Sequence, residues 1–228
     1  MKNRFSAVIF DMDGVIVDSE PRHIRAFQEV FAAMGYGDRH GMDFEAYLGR
    51  SDRALWMDFV AKHRPRESLE ELTVWKQRRL IEIIREEQPI FEGLPDLVGK
   101  LAVGHRLAVA SGSLHVVIEE VLALKNLRRF FEMVVSVQDV AQGKPAPDIF
   151  LRAAALLGVT PGECCVIEDS AAGVAAGKAA GMTVIAITNS LPAARLAEAD
   201  VVVRTYEEIE EFLGVGGSLR DVRGGLPV

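Results

Sequence analysis

Four short runs in this 228-residue chain are apolar almost without a break: "RFSAVIF" (4–10), "RLAVAS" (106–111), "CCVIED" (164–169) and "MTVIAIT" (182–188). A strand with one wet face alternates apolar and polar residues, whereas a run without alternation reads as a strand buried on both faces. Weaker strands are "MVVSV" (133–137) and "DVVVR" (200–204). Between the runs lie helical patterns, "LPDLVGKLAVG", "LHVVIEEVLALK", "PDIFLRAAALLG" and "SAAGVAAGKAAG", each closing near a Gly or Asn. Strand and helix alternate, which predicts an α/β fold: a Rossmann-like, doubly wound parallel sheet covered on both sides.

Residues from about 20 to 88 interrupt the alternation. "PRHIRAFQEVFAAMGY", "DFEAYLG", "SDRALWMDFVAKH" and "SLEELTVWKQRRLIEIIREEQ" carry helical period with no strand among them. The expectation is an all-helical insertion at 18–88 between two parts of one core, 1–17 and 89–228. Phe27, Phe31, Trp56, Phe59 and Trp75 recur at helical spacing and are expected to form the insertion's own core. The tail "GVGGSLRDVRGGLPV" is Gly-rich and expected to be loosely held. Gly173, Gly177 and Gly181, four apart, suit close packing of a helix on the sheet better than a membrane contact, given Lys178 among them.

With 49% hydrophobic residues the chain can bury a sizeable core, and its formal charge of -7 offers no basic field to a polyanion, so nucleic acid is not an expected partner. The two cysteines, Cys164 and Cys165, are adjacent in a strand. That is neither metal-ligand spacing nor a disulfide framework, and buried thiols in a reducing compartment are expected. The apolar stretch near the N-terminus is too short for a signal peptide, and nothing approaches the roughly 18 apolar residues of a spanning helix. A cytoplasmic protein with no membrane partner, a monomer or weak homodimer, is the expectation.

In an open parallel sheet, ligands gather at the carboxyl ends of the strands. Those ends carry Asp11 with Asp13, then Ser111, then Glu168 with Asp169, and Lys144 stands in the loop "QGKPAPD" before a helix. Two like charges 4 Å apart repel by about 4 kcal/mol at an effective dielectric of about 20. Four carboxylates in one mouth therefore need cations. Lys144 supplies one, and an all-oxygen set favours a hard divalent ion such as Mg²⁺; no His or Cys lies at these ends to favour zinc.

Residues i and i+2 of an extended segment point the same way, about 6.6 Å apart, so Asp11 and Asp13 can address one reacting group from two positions. Asp11 suits attack on phosphorus, and Asp13 suits proton transfer to the leaving oxygen and from the incoming water or hydroxyl. Ser111, Gly112 and the helix expected to start at Ser113 offer donors to phosphate oxygens. Lys144 offsets charge on the transferring group.

The stretches "DMDGVIVDS", "VASGS", "GKPAPDIF" and "VIEDSAAGVAAGKAAGM", in that order and with a helical insertion after the first, resemble the four motifs of the haloacid dehalogenase superfamily, in its phosphatase and β-phosphoglucomutase-like group. The resemblance covers Phe5 to Phe212. It implies a Rossmann-like core with a mobile helical cap, an aspartyl-phosphate on Asp11 and Asp13 as general acid/base. It also implies Mg²⁺ held by Asp11, the Asp13 backbone carbonyl and Asp169, with Glu168 direct or through water. Dehalogenases of this superfamily lack the second aspartate, so Asp13 implies phosphoryl transfer rather than carbon–halogen cleavage.

The cap is expected to choose the substrate. His23, in "DSEPRH", is either a cleft residue near the cap hinge, as in sugar-phosphate phosphatases and mutases of the group, or a surface residue at a helix start. "LGRSDRALW" resembles a substrate loop with Gly49, Arg50 and Arg53 as contacts. Mutases of the group place an Arg directly after the loop serine, whereas Asp52 follows Ser51 here. Lys76 either faces the cleft or belongs with Arg78 and Arg79 to a solvated face, the second reading being slightly favoured.

The leading expectation is a Mg²⁺-dependent phosphatase acting on a small phosphomonoester, a sugar phosphate or similar metabolite. A β-phosphoglucomutase-type isomerase shares every core residue and differs in whether water or a sugar hydroxyl takes the phosphoryl group. A phospho-accepting signalling receiver module also gathers acids, a hydroxyl and a lysine around Mg²⁺. Receivers are about half this length and have no helical insertion after the first strand.

Overall fold

The structure, a computed structural model, describes residues 4–47 and 52–215. All six expected strands form: β1 (Ala7–Phe10), β2 (Arg106–Ser111), β3 (Met133–Ser136), β4 (Cys164–Glu168), β5 (Thr183–Ile187) and β6 (Val201–Val203). They make one parallel sheet in the order β3-β2-β1-β4-β5-β6. The register sets Phe10 between Val109 of β2 and Ile167 of β4. The order reverses at β1, so the chain leaving β1 opens into a crevice flanked by the ends of β2 and β4, where open α/β sheets bind ligands.

The helices are α1 (Glu20–Ala33), α2 (Asp52–His63), α3 (Leu69–Glu87), α4 (Leu94–Leu101), α5 (His115–Ala123), α6 (Asp148–Leu157), α7 (Ala171–Ala179) and α8 (Tyr206–Leu213). Side chains alternate across β1, so Val8 and Phe10 join one cluster with α4, α5 and α8. Ala7 and Ile9 join a second cluster with α6 and α7. The sheet is thus doubly wound, and its continuous apolar runs follow from having both faces dry. Cys164 and Cys165 fall on opposite sides of β4, both buried and unpaired. Among the described residues no helix is long and apolar enough to cross a membrane.

Between β1 and α4 the chain is helical, with α1, α2 and α3 packed around Phe27, Phe31, Trp56, Phe59 and Leu72. Trp75 corrects one expectation, being 38% exposed. It stands one residue before Lys76 on α3, about 100° around the helix from the buried face. α3 starts with a capping box, in which Ser68 Oγ accepts from Glu71 N at 3.2 Å and the Glu71 carboxylate accepts from Ser68 N at 2.7 Å. Its far end carries Leu80, Ile83 and Ile84 into the sheet's own cluster. One helix therefore joins both hydrophobic units. Two stretches of chain connect them, held by Asp18 N to Pro89 O at 2.9 Å and Phe91 N to Ile16 O at 3.3 Å.

"DFEAYLG" forms only a short turn over Phe44–Tyr47, and Leu48 and Gly49 lie outside the described residues, as does the tail at 216–228. α8, in "TYEEIEEFL", was not anticipated; Thr205 Oγ1 caps it by accepting from Glu208 N at 3.3 Å. Of the three spaced glycines, Gly173 and Gly177 do face close neighbours, and a Cβ at Gly177 would stand 2.7 Å from Val184 Cγ2. Gly181 does not: α7 has already ended, and Gly181 takes a positive φ of 74° with nothing within 4 Å of its Cβ position.

A branched side chain at 177 must push α7 off the sheet, so Gly177→Val is expected to destabilise by about 1–3 kcal/mol. Gly99→Ala, within α4 with open space around it, is expected to gain about 0.5–1 kcal/mol. Urea titrations of the two variants check both signs. Equal losses in the two would contradict the packing described.

Candidate active site

β1 ends at Phe10, Asp11 N still bonds Ile167 O beside it, and the chain then turns from Met12 to Val17. Val15, Ile16 and Val17 all donate backbone N–H bonds to the Met12 carbonyl, at 3.2, 2.8 and 3.1 Å. Gly14 makes the turn with φ 76°, and a Cβ there would stand 1.7 Å from Asp169 Oδ2 and 2.6 Å from Ser190 Oγ. The glycine after the second aspartate is thus required twice, by its dihedral and by its neighbours. Asn189 Nδ2 donates to Gly14 O at 2.8 Å and the Tyr206 hydroxyl donates to Val15 O at 2.7 Å, pinning the turn from the far side. Asp11 and Asp13 stand at the start of this turn, after the named strand has ended. The tight turn delivers the two carboxylates to different partners.

Asp11 is buried, with its N–H bonded to Ile167 O at 2.9 Å, and its Oδ1 accepts from Lys144 Nζ at 2.6 Å. Lys144 also reaches Glu168 Oε1 at 2.6 Å. Glu168 sits at the end of β4 with its Oε2 accepting from Asp169 N, Ser170 N and Ser170 Oγ, each at 2.9 Å. Burial raises the Asp11 carboxyl well above the usual range, against Lys144 and with help from Glu168 and Asp169. Burial, with Glu168 adding to it, pushes Asp169 up to about 7 despite Ser190 and Lys144. Burial alone would lower the Lys144 ammonium, but Asp11 and Glu168 raise it instead.

These residues fit a divalent cation. Asp11, Glu168 and Asp169 each offer a carboxylate oxygen, all within 4.8 Å of one another and all buried. One lysine cannot neutralise three buried carboxylates, and burial first, with the like charges of the neighbouring carboxylates adding to it, pushes Asp11 and Asp169 upward. The ligand set is all oxygen, which suits Mg²⁺. Both Glu168 oxygens are already hydrogen-bonded, so Asp11 and Asp169 have more capacity to spare.

Asp13 is held differently. Its Oδ1 accepts from Ser19 Oγ at 2.6 Å, and its Oδ2 accepts from Ser113 Oγ at 2.9 Å and Ser111 Oγ at 3.4 Å. Ser111 is buried at the end of β2 and also accepts from Ser113 N at 3.0 Å. α5 begins at His115, two residues later than expected, because Ser113 turns toward Asp13 rather than capping the helix. Gly112 is exposed in the same turn, with nothing within 4 Å of its Cβ position.

From the helical side, His23 Nε2 lies 3.8 Å from Asp13 Oδ1. Its Nδ1 is 2.6 Å from Lys76 Nζ, which also bonds Asp52 Oδ2 at 2.6 Å. Lys76 has no exposed side-chain surface, so the solvated-face reading is corrected: Asp52 and His23 satisfy its ammonium inside the fold. Arg53 is exposed. Gly49 and Arg50 lie outside the described residues.

Sequence reasoning passed over Ser19, Asn189 and Ser190, and took Ser113 as a helix start rather than as a partner of Asp13. "VASGS" holds a second hydroxyl two residues after the first, a spacing that signals Ser113. Nothing in "ITNS" marks Asn189 or Ser190, whose roles come from β5 lying beside β4.

A model of the haloacid dehalogenase-like hydrolase family matches residues 5–181. The chain is 35% identical to the protein CbbY of Rhodobacter capsulatus over 78% of this chain and 83% of that one. It is 33% identical to the fructose-1-phosphate phosphatase YqaB of Escherichia coli over 81% of this chain and 97% of that one. Among solved structures, a mutant of CbbY from Rhodobacter sphaeroides in complex with xylulose-(1,5)bisphosphate superposes with a TM-score of 0.76 at 25% identity, covering 90% of this chain and 96% of that one. With a family match over more than half its length and these relatives, the chain belongs to the haloacid dehalogenase-like hydrolases, as a phosphoric monoester hydrolase.

Proposed function

We propose that this protein is a Mg²⁺-dependent phosphatase that hydrolyses a small phosphomonoester, a sugar phosphate or similar metabolite, through an aspartyl-phosphate on Asp11. The supporting observation is the separation of roles at the sheet edge. Asp11 lies in the buried cluster with Lys144, Glu168 and Asp169, where carboxylates outnumber cations, while Asp13 takes its hydrogen bonds from three serine hydroxyls and lies beside His23.

In this reading an Asp11 oxygen attacks phosphorus and the bond to the ester oxygen breaks, with Asp13 giving that oxygen its proton. Asp13 then takes a proton from water, which attacks the same phosphorus and frees Asp11 and inorganic phosphate. The Ser111 hydroxyl and the Gly112 N–H donate to phosphate oxygens, and Lys144 offsets their charge. Asp11, Asp169 and the Asp13 carbonyl would hold Mg²⁺, with Glu168 direct or through water, and the chemistry supplied there is neutralisation of the carboxylates and the phosphoryl group. The segment 18–88 acts as a cap on a core of 1–17 and 89–228, with His23, Lys76 and Arg53 on its substrate side; Gly49 and Arg50 are proposed as further substrate contacts from sequence alone. Asp52 in place of an arginine after Ser51 favours water over a sugar hydroxyl as acceptor. The match to hydrolases over 5–181 leaves the receiver reading without support.

Phosphate release from an aryl phosphate should fall at least about 10³-fold in Asp11→Asn with the fold intact by circular dichroism. Full activity in that variant would reject Asp11 as nucleophile. A second expectation concerns stability without metal. A carboxyl whose folded pKa is raised, as at Asp169 to about 7, contributes stability that is present below its unfolded value and lost as pH rises through the folded one. In chelator, Tm should therefore fall between about pH 4 and 7, and added Mg²⁺ should raise it more at the higher pH. Scanning fluorimetry showing no Mg²⁺ effect at either pH would contradict this.

A further inference from the structure

The buried lysine on the helical side, next to His23, has its charge already paired. Lys76 Nζ lies 2.6 Å from Asp52 Oδ2, 2.6 Å from His23 Nδ1 and 4.7 Å from the centre of the Phe27 ring. An ammonium has three protons to donate and no lone pair. These three neighbours occupy it, His23 Nδ1 must be the acceptor, and the ring proton falls on Nε2, facing Asp13. The arginines on the adjoining faces of α1 and α3 are also engaged: Arg22 bonds Asp18 and Glu87, and Arg79 bonds Glu29 and Glu82.

Resting on the phosphatase reading above, we propose that Asp52 makes the cleft selective for a phosphomonoester whose far end carries hydroxyls and no second anion, and sets it against bisphosphates and phosphorylated acids. Asp52 does this in two ways. It takes up Lys76, the fully buried lysine of the helical segment, so that ammonium is not free to receive a distal phosphate. It also adds its own charge, which burial would oppose but which the Lys76 ammonium, 2.6 Å away, holds in the ionised form. The Asp52 side chain keeps 31% of its surface exposed, and Oδ1 is 3.6 Å from His23 Nδ1. That oxygen is an acceptor suited to a sugar or polyol hydroxyl. The two relatives differ on this point, since the CbbY structure holds a bisphosphate and YqaB is named for a monophosphate. The pairing at Asp52 sets this chain with the monophosphate.

The test is kcat/KM for a hexose or hexitol monophosphate and for the matching bisphosphate, in the wild type, Asp52→Asn and Asp52→Ser. The wild type should prefer the monophosphate by at least about tenfold, and both variants should shrink that preference by about tenfold, about 1.4 kcal/mol, chiefly through a lower KM for the bisphosphate. Equal or better turnover of the bisphosphate by the wild type would overturn the proposal even if both variants failed to fold. So would an unchanged ratio in two folded variants. Failure of the wild type to release phosphate from any ester, an aryl phosphate with no far end included, would instead strike the phosphatase reading and take this proposal down with it.

Discussion

The Lys144 ammonium, 2.6 Å from both Asp11 and Glu168, is the contact on which the arrangement of the sheet edge depends. It joins the ends of β1 and β4, neighbouring strands at the point where the sheet order reverses. Burying charges is tolerable only when they are paired and hydrogen-bonded. Glu168 meets that condition, with the lysine on one oxygen and three donors on the other. Asp11 and Asp169 meet it only in part. The fold stores an excess of negative charge, and on the proposed function, where an anionic phosphoryl group has to enter, a divalent ion would reconcile the two.

The rest of the site is built to keep Asp13 out of that cluster. Its oxygens accept hydroxyl protons from Ser19, Ser111 and Ser113 rather than from Lys144. The Gly14 turn makes this division, and Asn189 and Tyr206 brace the turn across the sheet edge. His23 then ties Asp13 to the helical segment through Lys76 and Asp52. Any movement of that segment relative to the sheet must alter the surroundings of Asp13, because α3 packs its far end into the core cluster and its near end into the helical one.

Much of this was legible in the sequence. Unbroken apolar runs such as "CCVIE" can only be strands with two dry faces, so the sheet and its helices follow from periodicity, and the residues just after those runs must share one edge. What was not legible depends on angles around helices and on neighbours distant in sequence. Trp75 and Lys76 are adjacent in the chain, yet the tryptophan faces outward and the lysine is buried, since only the second points at Asp52, 24 positions away. The turn after Phe10 hid in plain view: "DMDG" reads as a continuing strand until the glycine is required to take a positive φ. Ser190 has no local signature at all, because β5 beside β4 is what brings it to Asp169.

The central claim is that the buried carboxylates need a cation. Calorimetric titration of Mg²⁺ into chelator-stripped, desalted protein addresses it most directly. One ion should bind per chain, and the binding should be lost in Asp169→Asn. Absence of Mg²⁺ binding by the wild type, with phosphoester turnover undiminished in chelator, would contradict the account.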